Sequence, residues 1–81
     1  MKIQASRTSR PLLNWVLCRG RQLLMCQVEQ TGESYRVSVR PQGRRRRLYE
    51  KTFDASVNAF QRHATLVAGL RGAGWTSVAY R

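Results

Sequence analysis

Residues 12–40 read LLNWVLCRGRQLLMCQVEQTGESYRVSVR, and two glycines inside this stretch decide the fold. Gly20-Arg21 and Gly32-Glu33 each put glycine first in a two-residue loop, where a type II′ turn needs a positive φ. They divide the stretch into three strands: Leu12 to Cys18, Gln22 to Gln30, and Tyr35 to Arg40. The turns also fix the pairing. A loop at Gly20-Arg21 sets Leu17 opposite Leu24, Trp15 opposite Cys26 and Leu13 opposite Val28. A loop at Gly32-Glu33 sets Val28 opposite Val37, Cys26 opposite Val39 and Gln30 opposite Tyr35. Both registers select Leu24, Cys26 and Val28 as the inward residues of the middle strand. A slip of one residue would turn all three outward, so two turns read separately support one continuous apolar face.

Beyond that stretch, Gln42-Gly43 marks a third loop, followed by Arg44-Arg45-Arg46-Arg47 and a fourth strand from Leu48 to Phe53. Its register stays open, because Tyr49 and Phe53 share one face and Leu48 takes the other. Asp54 is placed to cap a helix from Ala55 to Arg71, along which Val57, Phe60, Ala64, Val67 and Leu70 recur as one apolar stripe. Gly72 falls where a C-cap glycine belongs, and Trp75 to Tyr80 reads as a short closing strand. Residues 1–10 are polar and aperiodic, a flexible basic arm in which Ile3 alone is suited to docking. The expected fold class is α+β: an antiparallel meander of three to four strands, then one long α-helix packed on one sheet face. One domain, residues 11–81, carries all of it.

Eighty-one residues leave no room for a second domain. The hydrophobic fraction of 42% is ordinary for a folded chain and too high for a disordered basic tail. Charge is the unusual quantity. Fifteen Lys and Arg oppose four Asp and Glu, a net +11. Thirteen of the fifteen are arginine, whose planar fork binds phosphate through two parallel hydrogen bonds. Such an imbalance favours a polyanionic partner. No apolar run approaches the ~20 residues that cross a bilayer. Lys2, Arg7 and Arg10 ahead of Leu12 to Cys18 imitate a targeting peptide, but the apolar run is seven residues and alternates as a strand does.

With the helix on one sheet face, the other face presents Asn14, Val16 and Cys18, then Leu23, Met25, Gln27 and Glu29, then Arg36, Ser38 and Arg40. The expected nucleic-acid-binding residues are Arg36, Arg40, Arg44, Arg45, Arg46, Arg47 and Lys51, with Arg19 and Arg21 at the neighbouring hairpin tip. Tyr49 is a candidate to stack on a base. Val16, Leu23 and Met25 form an apolar patch suited to a homodimer or to another protein.

No catalytic set or cofactor motif is legible. Cys18 and Cys26 fall on opposite sheet faces, which excludes a disulfide between them. Free thiols point to a reducing, cytoplasmic setting. One histidine and two separated cysteines are too few for a zinc site, and His63 beside the helix stripe reads as a packing residue. The expectation is therefore no enzyme, no metal and no cofactor. In order of elements only, the chain is similar to Whirly-type single-strand binders, and Phe60 through Gly74-Trp75 resembles the helix of WGR domains. The W-G-R motif itself is absent, and the likeness assigns no family. The leading expectation is a module binding DNA or RNA through an Arg-rich hairpin and sheet face. The alternative is a small basic interaction or inhibitor module, of phage or mobile-element type, that binds an acidic protein.

Overall fold

The computed structural model describes residues 9–80, and in it Gly20 and Gly32 both have φ of +63°. Arg21 and Glu33 follow with negative φ, as no described non-glycine residue has a positive one. Glycine first and an ordinary residue second define the type II′ turn. The strands these turns join are β1 (Ser9–Arg19), β2 (Gln22–Thr31) and β3 (Ser34–Pro41). Their pairing matches the register read from sequence: Leu17 with Leu24, Trp15 with Cys26, Leu13 with Val28, then Cys26 with Val39 and Val28 with Val37. The resulting inward residues form the base of the core. Leu17, Cys26, Val28 and Val37 are fully buried.

The strand β1 begins earlier than expected. Ser9 and Arg10 pair with Thr31 and Gln30, and the Ser9 and Thr31 hydroxyls lie 3.0 Å apart. The last two residues of the expected arm are therefore sheet; the rest of it, Ile3 included, lies outside the described residues. An extra residue between Pro11 and Leu13 breaks the pairing, and Leu12 and Leu13 both reach the core. A bulge is where a sheet tolerates proline.

After β3, the Arg44 amide donates to the Pro41 carbonyl at 3.2 Å and Gly43 has φ of +82°, which is a type II turn. Arg45 to Arg47 follow as irregular loop. Pairing resumes when the Leu48 amide donates to Val39 at 2.8 Å, and β4 (Tyr49–Phe53) runs antiparallel to β3. The open question of its register is settled by Tyr49 opposite Val39 and Phe53 opposite Tyr35. Tyr49, Lys51 and Phe53 therefore share the helix side, and Leu48 is 64% exposed.

The helix α1 (Ser56–Gly72) lies on β2, β3 and β4. Asp54 does not cap it. Ala55 holds the N-cap position without a side-chain hydrogen bond. The buried stripe also differs from the expected one: Ala59, His63 and Val67 are buried, with Leu66 and Leu70 partly so, while Val57 is 59% and Phe60 38% exposed. Ala59 has a small enough side chain to bring the helix close over Val28 and Val37. That seating rotates Phe60 to the flank beside Leu13 and Trp15.

Gly72 remains helical. The chain turns at Gly74, with φ of +102°. Trp75 N–H donates to the Leu70 carbonyl at 3.0 Å and Gly74 N–H to Arg71 at 3.1 Å, the paired bonds of a Schellman motif. Leu70 and Trp75 pack on the same core cluster, which supplies the motif's usual hydrophobic contact. The expected closing strand, β5 (Thr76–Tyr80), then pairs antiparallel with β1. The fold is α+β: a four-stranded antiparallel meander, one helix packed on it, and a short C-terminal strand, in sheet order β4-β3-β2-β1-β5. Among the described residues no helix is long and apolar enough to cross a membrane.

Candidate functional site

In a meander, alternate turns fall at the same end of the sheet. The β1–β2 turn and the β3–β4 loop therefore lie together, and α1 runs so that its C-terminus joins them. This end collects Arg19, Arg21, Arg40, Arg44, Arg45, Arg46, Arg47 and Arg71. The acids lie elsewhere: Glu33 at the β2–β3 turn, Asp54 beyond β4, and Glu29 and Glu50 on strands. Proximity is direct for some members. Arg21 and Arg44 line one cleft with Leu23, Pro41, Leu48 and Trp75.

Two of these arginines brace the end. Arg19 Nη1 donates to the Ala73 carbonyl at 3.2 Å, and its guanidinium lies 4.9 Å from the centre of the Trp75 ring, a cation–π contact. Arg40 Nη1 donates to the Arg44 carbonyl at 3.0 Å and its Nη2 contacts Met25 Sδ at 3.9 Å, which ties the loop to the sheet. Arg21, Arg44, Arg45, Arg46, Arg47 and Arg71 are exposed, and among the described residues none is ion-paired. Arg71 also sits in the last turn of α1, where a cation complements the helix dipole.

Three expected site residues are placed differently. Arg36 is clamped between carboxylates, with Nη2 at 2.8 Å and Nε at 3.2 Å from Glu29 Oε1, and Nη1 at 3.4 Å from Glu50 Oε2. The register explains it, since Arg36 faces Glu29 on β2 and adjoins Glu50 across β4. The open face thus carries Arg36 and Arg40 against Glu29 and Glu50, and its formal charges cancel. It is not the cationic platform expected from β2 and β3 alone, and Ser38 in its middle is fully buried. Tyr49 faces the helix and packs on both core clusters, so its ring is not offered to a base. Lys51 stands on the helix side of β4 over the Phe53 ring at 5.4 Å. On the apolar patch, Leu23 is 36% exposed and Val16 and Met25 are half-buried.

Trp75 and Leu48 at the basic end were missed by the sequence reading. The signal for Trp75 was Leu70 followed five residues on by an aromatic after Gly74, the spacing of a Schellman contact.

The remaining reactive side chains are internal. Cys18 and Cys26 are free thiols on opposite faces; burial pushes the Cys26 thiol up to about 11. His63 is 3% exposed, its Nε2–H donates to the Cys26 carbonyl at 3.1 Å, and its ring meets Trp15 edge-on at 6.3 Å. Burial holds its pKa below the usual imidazole value, partly offset by that hydrogen bond. Among the described residues no three metal-ligating side chains come together. Comparison with family models, with curated proteins and with solved structures gives no match.

Proposed function

We propose that this chain is a nucleic-acid-binding module that grips phosphates with the arginine-rich end of its sheet. The observation that carries this reading is convergence. The β1–β2 turn, the end of β3, the β3–β4 loop and the helix C-terminus bring eight arginines to one end, and these segments contain no carboxylate. Guanidinium groups held this close repel one another, and an anionic backbone relieves that repulsion while releasing its counterions. Arg19 and Arg40 hold the shape. The exposed forks of Arg21, Arg44 to Arg47 and Arg71 meet phosphate oxygens. Contacts of this kind position a protein on a strand without reading base sequence.

The test is affinity for an oligonucleotide at several salt concentrations. The log–log slope should be roughly −0.7 to −0.9 per phosphate engaged, and Arg44 to Arg47 replaced by Ser should flatten it by roughly 3. Arg36→Gln should leave the slope unchanged, because Arg36 is already paired. A flat salt dependence, together with one stoichiometric acidic protein on purification, would replace this reading with the protein-interaction module.

A further inference from the structure

We infer that the cleft at the basic end takes an unstacked nucleobase, which makes the preferred ligand a single strand; the inference rests on the nucleic-acid reading above. The cleft has a volume of about 490 Å³, within the ~300–1,000 Å³ of sites that hold small-molecule ligands. Three separate segments build it. The β1–β2 hairpin supplies Arg21 and Leu23, the end of β3 and the loop after it supply Pro41, Arg44 and Leu48, and the turn after α1 supplies Trp75. Among the described residues five large apolar side chains are exposed, and two of them, Leu48 and Leu23, line this cleft together with Arg21 and Arg44.

Apolar walls beside unpaired cations match one chemistry closely: a flat, weakly polar heterocycle tied through a sugar to an anionic phosphate. A bare polyanion would have no use for Leu48, and an uncharged aromatic ligand none for Arg21 and Arg44. Trp75 is also held in place for the role. The Schellman turn fixes its backbone, and Arg19 lies against its ring. A base entering the cleft meets an aromatic ring already ordered, at the part that neither the core cluster nor the Arg19 guanidinium covers, so little side-chain entropy is lost on contact. A base inside a closed duplex has its faces covered by its neighbours and cannot enter without being unstacked.

Three fluorescein-labelled ligands of equal phosphate number test this at one low salt concentration: a 12-residue deoxythymidine strand, the same strand with every base replaced by an abasic spacer, and a closed hairpin duplex. The base-bearing strand should bind about tenfold or more tightly than the abasic one, and the duplex should resemble the abasic strand. It should also quench tryptophan emission in the native protein but less in Trp75→Phe. Leu48→Ser, at a position 64% exposed and so harmless to folding, should shrink the gap between base-bearing and abasic strands. Equal affinity for both strands, falling steeply for each when the titrations are repeated at higher salt, overturns the base pocket and leaves phosphate binding standing. No binding to any of the three removes the parent reading as well. Run with ribo-oligonucleotides, a base-dependent gap in either sugar series supports the inference; a gap in neither overturns it.

Discussion

Tyr49 and His63 are polar side chains placed inside this core, and each sets a measurable cost. The Tyr49 hydroxyl is buried without a hydrogen-bond partner among the described residues. A buried donor left unmade costs about 1–3 kcal/mol, so Tyr49→Phe should hold stability level or raise it by about 1 kcal/mol. A fall of that size in a urea midpoint would contradict the placement of the ring. His63 keeps its hydrogen bond to Cys26 in either protonation state, but burial disfavours its charged form. Its folded pKa lies below the ordinary 6.5, so the unfolded chain binds the proton more readily. Its contribution is complete above about pH 6.5 and is lost as the pH falls through the folded value. Melting temperature should drop from pH 7 to pH 5, and His63→Gln should flatten that drop; parallel curves would refute it. Tyr49 could face either way until Leu48 fixed where pairing resumed. The packing role of His63 was legible from its place beside the stripe, but its bond to the Cys26 carbonyl was not, because that needs the seat of the helix on β2.

At the scale of elements, the sheet was legible and the seat of the helix was not. Gly20 and Gly32 fix their strands by backbone geometry, so the register from Leu13 to Val39 could be derived without knowing the core. The helix has no comparable local constraint. Its apolar residues spread around much of its surface, and the face that wins is the one where Ala59 permits close approach. Two valines separate the alternatives. Val67→Ala, 6% exposed, should cost about 2 kcal/mol. Val57→Ala, 59% exposed, should change stability by less than about 0.5 kcal/mol. Equal losses would restore the stripe expected from spacing. The helix end follows the same logic, since Gly74 and not Gly72 takes the positive φ. A Cβ there would meet Arg19 Cδ at 3.5 Å, an ordinary contact, so the cost of Gly74→Ala comes from the φ of +102° and should appear as a loss of about 1 kcal/mol in a urea midpoint.

Across the whole molecule, the proposed binding rests on where charge is placed more than on how much there is. The sequence shows +11; the topology sorts it. The first and third turns share an end in any meander, which made Arg19 and Arg21 foreseeable neighbours of Arg44 to Arg47. The helix C-terminus adding Arg71, and Trp75 standing beside Arg19, needed the packing of α1 and β5. The cancellation of the open face needed the β4 register that sets Glu50 beside Arg36. The most direct test compares two charge-matched triple variants on one oligonucleotide across a salt series. One replaces Arg45, Arg46 and Arg47 with Ser; the other replaces Arg10, Lys51 and Arg62, which are equally exposed but lie away from the basic end. The first should flatten the log–log slope by roughly 2–3, and the second should leave it near the native value. Equal flattening by both would mean that net charge alone drives association, and the claim of a built binding end would fall.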